Sequence, residues 1–487
     1  MNTSSGIFQH ILTIILFALA LTAVAANGLA STQPYITGHQ INFGTGNKYL
    51  QVTDIEAASP GPRIALTRTY NSQSNEVTVL GHGWSAPHTE RIIIDSSEII
   101  LVQKGGRYVH FTQETTTTWV NQTGSRRVIT MDGSNYRLEE PDGTVKLFDG
   151  SGNILSYIDT NNNSRTYSYS GDQLTAMANN FGAALNFTYV DGKLATVSGP
   201  QGIFTYTYTG NNLTDVTNPD GTSTTYIYDD PNDAHNLTGT INETGERILT
   251  VEYDADDRVV RSAKQNGTEE VTIAYPSLNE RTVTDSAGVA TTYHLDILHG
   301  IVKVASFTGP GCSSCGSDSD MEYVYNDRFM LIEKTDGKGK ITTYTYDANG
   351  NKLSRSEAVG SQLEKTTSYT YTPDNRLQSM ETESLLMVGD TTTTAMEYDA
   401  GGNMTSRTVT GYIDAALTSA TRQTTYSYNQ YGKLTAIDGP RTDVSDVTSM
   451  SYYDNDPAQG ANRGRLHTLT NSLDHVTTYA DYNVHGQ

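Results

Sequence analysis

The sequence predicts an all-β protein in which tandem β-hairpins form one spiralling sheet. Its 487 residues include 31 Tyr, against 10 Phe and 2 Trp, and Tyr is a strand former with an apolar ring and a polar tip. Thr and Tyr alternate in many short stretches, with the period of a strand that has one buried face. Asp, Asn and Gly separate these stretches and are the residues that form tight turns.

One stretch shows the repeating unit in full. TTYTYDANGNKLSRS (Thr342–Ser356) predicts a strand from Thr342, a turn at Asp347–Gly350 and a return strand from Leu353. Asp bonds to nearby backbone in such turns, and Gly accepts the positive φ that they require. Near-copies recur, about 20 residues apart in the first half and further apart later, at Arg165–Met177, Leu185–Val197, Phe204–Val216, Thr250–Ser262, Thr367–Ser379, Ala395–Arg407, Thr424–Ala436 and Tyr479–Gln487.

An isolated hairpin is only marginally stable in water, so the hairpins must pack against one another. The alternation gives the sheet one face of Tyr rings and aliphatic side chains and a second face of Thr, Ser, Asn and charged groups. Such an array can form propeller blades, a flat solenoid or a sheet wound on itself. Propeller repeats are about 40–45 residues long, roughly twice the length of this unit, so the sequence favours a spiral.

The N-terminus differs from the repeats. Ile11–Ala26 is a continuous apolar run followed by small residues, which predicts an exported protein with a signal peptide at residues 1–30. An uncleaved membrane anchor is the alternative, because Ile7–Ala26 approaches the length of a membrane-spanning helix. Residues 31–140 are predicted to form an N-terminal β domain, and residues 141–487 the repeat array.

The net charge bears on the possible binding partners, and the two cysteines bear on the possible disulfide or metal sites. The net charge of −22 argues against nucleic acid, whose phosphates need clustered Lys and Arg, and indicates a solvated acidic surface. The chain has two cysteines, Cys312 and Cys315. In an exported protein this spacing predicts a small disulfide clamp. A zinc site would need further ligands, and a redox motif would need a thioredoxin-like βαβ context.

Sequence motifs give no support for an enzyme, a cofactor or a metal centre. The chain has no nucleophile elbow, P-loop, dinucleotide-binding fingerprint or zinc-protease motif. His82 and His88 lie close together, and Asp54 or Glu90 would be needed to complete a site. We favour a polar turn beside a packed Trp84 as the explanation.

Two Asp-containing turns have a weak resemblance to functional loops. Phe148–Asn153 is similar to an aspartic-protease loop but lies in a repeat where Asp-Gly turns are expected. Asp159–Ser164 has Asp and Asn at alternate positions, as in a calcium loop, but lacks the Gly and Glu that complete such a loop. We therefore predict no catalytic, cofactor-binding or metal-binding residues.

The unit Tyr-x-Tyr-Asp-x-x-Gly-x-Leu resembles the YD repeat of Rhs and related proteins from about Asp142 to the C-terminus. Ile41–Ser72 and Leu80–Ile94 are similar to the uncharacterised conserved domain that often opens Rhs proteins, through TGNKY, LTRTYNS and GWS. The resemblance implies a hollow β-cocoon. In toxin members this shell holds a variable C-terminal toxin that self-cleavage separates from it.

The family pattern also sets an expectation for function. The chain is expected to be an N-terminal fragment that lacks the conserved core and the variable C-terminal region. Its expected function is that of an exported, non-catalytic shell that encloses or displays its own C-terminal effector, as in a polymorphic toxin. A cell-surface adhesin that binds carbohydrate is the alternative. We expect a secreted or cell-surface bacterial protein with no nucleic-acid partner, and no membrane partner unless the N-terminal segment stays uncleaved.

Overall fold

The computed structural model describes residues 34–95, 97–103, 107–298, 300–309, 321–384, 390–412 and 419–482. The described residues form two connected antiparallel sheets and one small ribbon, with short 3₁₀ helices at Thr37–His39, Pro87–Thr89, Gln265–Gly267 and Pro457–Asn462. The first sheet, here called the N-terminal sheet, has the order β1-β2-β3-β4-β7, with β1 Tyr35–Ile36, β2 Ile41–Asn42, β3 Asn47–Ala57, β4 Ile64–Asn71 and β7 Trp84–Ser85. The ribbon joins β5 Val77–Thr78 and β6 Gly81–His82.

All later strands belong to one long sheet in which each strand pairs with its chain neighbours. The strands are β8 Arg91–Ile94, β9 Glu98–Val102, β10 Tyr108–Thr115, β11 Thr118–Asn121, β12 Val128–Asp132, β13 Asn135–Glu139, β14 Val145–Phe148, β15 Ile154–Ile158, β16 Ser164–Ser170, β17 Gln173–Asn179, β18 Ala184–Val190, β19 Lys193–Gly199, β20 Gly202–Thr209, β21 Asn212–Thr217, β22 Ser223–Ile227, β23 Gly239–Ile241, β24 Arg247–Tyr253, β25 Val259–Lys264, β26 Val271–Ser277, β27 Glu280–Thr284, β28 Ala290–Leu298, β29 Ile301–Thr308, β30 Met321–Tyr325, β31 Leu331–Thr335, β32 Ile341–Tyr346, β33 Lys352–Glu357, β34 Lys365–Tyr371, β35 Leu377–Glu383, β36 Thr391–Tyr398, β37 Met404–Tyr412, β38 Ser419–Tyr428, β39 Leu434–Asp438, β40 Thr448–Tyr452, β41 Leu466–Thr470 and β42 Val476–Thr478. The prediction of an all-β fold of tandem hairpins is confirmed.

The long sheet closes on itself at its start. Arg91 in β8 bridges Asn153, which precedes β15, and the Ile92 amide donates to the Gly152 carbonyl at 2.9 Å. Strands β8–β15 therefore form a closed roll, and the later hairpins continue from its end. Because β13 pairs with β14, the pairing continues across residue 140. The domain limits of the sequence analysis stay a prediction.

The hairpin predicted at Thr342–Ser356 is present with its turn chemistry. Strands β32 and β33 pair with a bulge at Tyr346, which lies opposite Lys352. In the loop, the Asp347 carboxylate accepts a hydrogen bond from the Asn351 amide at 2.8 Å. Gly350 has φ +87°, and a Cβ there would lie 2.8 Å from the Ser125 Cα, so this position needs Gly for its backbone angle and for space.

Tyr hydroxyls link each hairpin to the one before it. Along most of the sheet, a Tyr at the end of an outgoing strand donates a hydrogen bond to a backbone carbonyl one hairpin earlier, at 2.6–3.0 Å. Phe fills the same space but has no donor, which explains why the repeats use Tyr. The bonds of this tyrosine ladder, donor first, are Tyr189–Leu174, Tyr208–Leu194, Tyr253–Leu237, Tyr275–Val259, Tyr325–Val304, Tyr346–Leu331, Tyr371–Lys352, Tyr398–Leu377, Tyr428–Met404, Tyr452–Leu434 and Tyr482–Leu466.

Hairpin turns from distant parts of the chain meet along a seam. The Asn161 and Asn403 side-chain amides exchange hydrogen bonds at 3.1 and 2.8 Å, across 242 residues of sequence. Near the start of the seam, the Arg126 amide donates to the Asn349 carbonyl at 2.9 Å. Near its end, Arg463 donates to the Phe181 carbonyl across 282 residues. Such contacts require the sheet to wind past itself, so it is a spiral.

The N-terminal sheet packs against the face of the long sheet that carries Tyr and aliphatic side chains, called the inner face below. One buried cluster joins N-terminal residues, among them Leu66 and Trp84, to inner-face residues from Ile92 to Leu237. A second joins Ile41 and Phe43 to residues from Val251 to Leu331. Among the described residues, no helix is long and apolar enough to cross a membrane.

Candidate functional site

The contact between the N-terminal sheet and the inner face is built around a buried ion pair. Arg68 on β4 and Asp54 on β3 form a two-pronged pair, with Nε to Oδ2 at 2.5 Å and Nη2 to Oδ1 at 2.8 Å. Both side chains are almost wholly buried. Although burial acts to lower the pKa of Arg68, the charge of Asp54 keeps that pKa well above its ordinary value. Opposite charge and hydrogen bonds are what allow such a group to stay ionised inside a protein.

Two Tyr side chains of the long sheet complete this ion pair. Tyr206 donates to Asp54 Oδ2, and Arg68 Nη2 donates to the Tyr226 hydroxyl, both at 2.8 Å. The guanidinium also lies 4.6 Å from the Trp84 ring centroid, a cation–π contact. The repeat Tyr residues therefore bind the N-terminal sheet as well as one another.

A second group of hydrogen bonds fixes the same contact. Tyr70 donates from its hydroxyl to the His235 carbonyl at 2.9 Å and accepts from the Leu237 amide at 3.0 Å. Trp84 Nε1 donates to the Tyr228 hydroxyl at 2.8 Å. The expectation of a packed Trp84 agrees with its complete burial.

The structure does not assemble the His and carboxylate residues that the sequence places close together. His82 stacks on His235 with ring centroids 4.0 Å apart, whereas His88 is buried against Phe187. Burial lowers the pKa of His88 to about 4, and its Nε2 has no hydrogen-bond partner among the described residues. Glu90 accepts from Lys146 at 2.6 Å. His82, His88 and Glu90 thus contact different partners and do not form one site, and Asp54 pairs with Arg68.

The turn that resembled a calcium loop uses its carboxylate internally. Asp159 Oδ1 accepts from the backbone amides of Asn161 and Asn163, both at 2.9 Å, and Oδ2 accepts from the Asn163 side chain at 2.9 Å. In the described part of the chain, no group of three or more His, Cys, Asp or Glu is placed to hold a metal ion. Cys312 and Cys315 lie outside the described residues, and their disulfide stays a prediction.

The inner face differs sharply between its two halves. In the first half, Leu194, Leu213, Tyr206 and Tyr226 are at most 5% exposed beneath the N-terminal sheet. In the second half, the equivalent side chains Leu377, Met404 and Leu434 are only half-buried. The Tyr side chains there are half-buried, namely Tyr344, Tyr346, Tyr369, Tyr371, Tyr398, Tyr426, Tyr428 and Tyr452.

Sequence reasoning missed the Arg68–Asp54 pair. Asp54 lay among the candidates, but as a possible partner of His82 and His88. One signal was available: Arg68 and Tyr70 follow the apolar Ile64 and Leu66 on the same face of β4, which places a cation in an otherwise apolar, buried row.

Comparisons with known families match two separate parts of the described fold. Residues 38–111 match a domain of unknown function, DUF6531, and residues 330–362 match the RHS repeat. The second match contains the hairpin at Thr342–Ser356. The first contains strands β2–β4 and β7 of the N-terminal sheet and the start of the long sheet.

Curated relatives give a partial match. The tRNA nuclease WapA of Bacillus subtilis strain 168 is 28% identical over 142 residues, and so is the tRNA3(Ser)-specific nuclease WapA of Bacillus spizizenii. The match covers 29% of this chain but 6% of the length of each relative. The nuclease activity in these names belongs to those proteins.

Solved structures of toxin complexes share a weaker, fold-level likeness. TcdB2-TccC3 without its hypervariable C-terminal region aligns with 89% of this chain and 29% of its own, at 14% identity and a TM-score of 0.36. The Photorhabdus luminescens Tc holotoxin pore aligns over the same shares at a TM-score of 0.30. At these scores the fold assignment rests on the strand pairing described above. Residues 38–111 are thus similar to DUF6531 and residues 330–362 to the RHS repeat, in a chain whose strands pair as tandem antiparallel hairpins.

Proposed function

We propose that this chain is the wall of an exported, non-catalytic shell, and that the second half of its inner face encloses a polypeptide that follows it in its natural protein. This polypeptide would be the C-terminal effector of a polymorphic toxin. The observation that carries the proposal is the half-exposed row of Tyr and aliphatic side chains between Ile341 and Thr478. The same row is covered by the N-terminal sheet in the first half.

The chemistry of this row suits an enclosed chain. Half-buried Tyr rings offer apolar surface, while the tyrosine ladder already occupies many of their hydroxyls, so the row presents mainly ring faces. In the first half, an equivalent row binds β-strands of the same molecule through rings and hydroxyls. A polypeptide is thus a ligand that this face already accommodates.

The test is a site-specific photo-crosslink in the protein expressed from its natural gene, with whatever segment the gene adds after Gln487. A photoreactive phenylalanine replaces Tyr371 on the inner face or, as the matched control, the adjacent exposed Thr370. We expect crosslinks from position 371 to residues beyond 487, mapped by mass spectrometry, and none from position 370. Equal crosslinking from both positions, or a natural product that ends at Gln487 as a folded monomer, would overturn the proposal.

The half-exposed Tyr row also supports the alternative, a surface adhesin that binds carbohydrate, because aromatic rings stack on sugar faces. A glycan array separates the two functions: a shell binds no glycan reproducibly, whereas an adhesin gives a ligand whose binding is lost in Tyr371→Ala. Export is tested by fractionation and N-terminal sequencing. A mature N-terminus near residue 30 supports a cleaved signal peptide, and an intact membrane-bound N-terminus supports the anchor.

A further inference from the structure

A polar cavity lies on the seam between the two windings of the sheet. Its volume is about 490 Å³, within the ~300–1,000 Å³ range of small-ligand sites. Three separate chain segments line it: residues 61–63 from the N-terminal sheet, 157–165 from the first winding and 431–433 from the second. The cavity is lined mainly by turn residues and by none of the Tyr side chains of the half-exposed row, and its role is independent of whether the shell encloses an effector.

Hydrogen bonds across the seam hold the cavity walls in place. Asn163 donates to the Tyr431 carbonyl at 3.3 Å, and Asn179 donates to the Pro62 carbonyl at 3.1 Å. Gly432 has φ +73°, and a Cβ there would lie 2.6 Å from the Asn161 side-chain nitrogen. The walls are therefore positioned without a ligand, a property that lowers the entropic cost of binding.

The cavity carries cations that the protein leaves without carboxylate partners. Among the described residues, no Asp or Glu lies within ion-pair distance of Arg165 or Lys433. Arg165 donates to the Arg63 carbonyl at 3.2 Å, and its buried Nε has no hydrogen-bond partner in the described part of the chain. Lys433 donates to the Gly464 carbonyl. Burial, followed by the nearby charge of Arg465, lowers the pKa of Lys433.

The acidic groups near the cavity offset its positive charge only in part. Asp159 lines the cavity, but its oxygens accept the turn hydrogen bonds described above. Glu56 pairs with Arg63 at 2.6 Å and with Arg465 at 3.4 Å. Arg165 and Lys433 thus keep a local excess of positive charge in a chain of net charge −22, and such an excess attracts anions.

We propose that this cavity binds an oxyanion, either a free sulfate or phosphate or the carboxylate of an acidic sugar. Arg165 supplies the main hydrogen-bond donors, Arg63 and Lys433 supply charge, and the Asn161 side-chain amide supplies the N–H that it does not donate to Asn403. Because the anion contacts the N-terminal segment and both windings at once, it ties the seam together.

The test is thermal unfolding of the whole chain with added anions. Sodium sulfate, phosphate and glucuronate are compared with sodium chloride at matched ionic strength, and glucose is the neutral control. A ligand that binds the folded state raises Tm with its concentration, so we expect a rise with at least one oxyanion and none with glucose. The anion that raises Tm at the lowest concentration shows whether the cavity prefers free sulfate, free phosphate or the carboxylate of an acidic sugar.

Variants place the effect in the cavity. Arg165→Gln is expected to weaken the apparent affinity about tenfold or more, as for the loss of one charge-assisted contact. Arg63→Gln tests the same site at a side chain that is 55% exposed, so folding is not at risk. Arg441→Gln, an exposed side chain paired with Asp443 and outside the cavity, is the control and keeps the response. The proposal would be overturned if no oxyanion raised the Tm of the wild-type chain more than chloride does. It would also be overturned if Arg63→Gln and Arg165→Gln showed the same rise in Tm as the wild-type chain.

Discussion

Strands β16–β31 and strands β32–β42 are built from the same hairpin, yet they differ in what covers their inner face. In the first group, here the filled region, the inner face is buried against the N-terminal sheet. In the second, here the open region, the buried apolar side chains among the described residues are Ala358, Met396 and Ile437. The hairpins, bulges and tyrosine ladder are nevertheless the same. The comparison shows that local hydrogen bonds specify the sheet, while the polypeptide packed against its inner face determines how many apolar side chains are buried.

The largest expected difference between the regions comes from ion pairs. Arg68→Met leaves Asp54 buried and unpaired, and should lower the free energy of unfolding by about 3–5 kcal/mol. The matched change in the open region, Arg355→Met, breaks a partly exposed pair with Glu357 and should cost less than about 1 kcal/mol. Denaturant unfolding measures both. If the two variants lose equal stability, the filled region does not depend on its ion pair.

A double variant makes this result specific. Arg68→Met with Asp54→Leu removes both charges and should recover part of the lost stability, because apolar replacements of a buried pair are often neutral or better. A double variant that is less stable than Arg68→Met alone would contradict the assigned role of the uncompensated carboxylate.

A truncation at one repeat position compares the two cores directly. Leu194 is fully buried opposite Tyr189, and Leu377 holds the same place opposite Tyr371 but is only half-buried. Leu194→Ala should cost about 2–5 kcal/mol through lost burial and a cavity, whereas Leu377→Ala should cost about 1 kcal/mol. Thermal unfolding, with hydrogen exchange of the affected hairpin, reports each loss. An equal loss would show that the open region is covered in solution.

The pH dependence of stability should reflect the bases buried in the N-terminal sheet. Burial lowers the pKa of Lys48 from 10.5 to about 7. Between these values the unfolded chain binds more protons, so stability rises with pH, by at most about 1.4 kcal/mol per pH unit. Unfolding at pH 7.5, 8.5 and 9.5 measures the slope. Lys48→Met should flatten it, and Lys338→Met, at an exposed position, should not.

His88 should make stability depend on pH in a second, lower pH range. Burial lowers its pKa from 6.5 to about 4, so stability should fall as the pH drops from about 6.5 to about 4 and level off below. His88→Phe should remove this part of the pH dependence. An unchanged acid profile in that variant would show that His88 is hydrated in solution.

The smallest expected effect comes from the tyrosine ladder. Tyr189→Phe removes the donor to the Leu174 carbonyl, and Tyr398→Phe removes the donor to the Leu377 carbonyl. Each should cost about 0.5–1.5 kcal/mol, with the larger loss at Tyr189 because Leu174 is buried and water reaches Leu377 more readily. Thermal unfolding of the two variants gives the order. A larger loss at Tyr398 would reverse the assignment of filled and open regions.

Local structure was predictable from the sequence because it depends on local chemistry. The hairpin at Thr342–Ser356 follows from alternation and from an Asp-x-x-Gly turn, and its return strand begins one residue earlier than predicted, at Lys352. The burial of Tyr rings on one face follows from the same alternation. The bond from Tyr346 to the Leu331 carbonyl was not predicted, because its acceptor lies in another hairpin.

Long-range contacts could not be predicted from the sequence because the residues that form them are separated by many hairpins. The ion pair of Asp54 with Arg68 is local, but its Tyr226 partner lies 158 residues from Arg68. Nothing in the repeat pattern marks Tyr226 as different from the Tyr residues of the open region. The seam cavity is similar, because the sequence predicts Asn161 only as part of a turn, and its hydrogen bonds with Asn403 form only once the sheet has wound past itself.

The seam makes the number of hairpins in one winding a fixed quantity. The tyrosine ladder and the strand pairing act between neighbours and would accept an added hairpin anywhere. An insertion between Asn163 and Asn403, however, would shift every later turn by two strands, about 10 Å, and move Asn403 away from Asn161. Gains and losses of repeats in related chains should therefore fall outside this interval or occur there in compensating pairs, so that the spiral keeps its circumference.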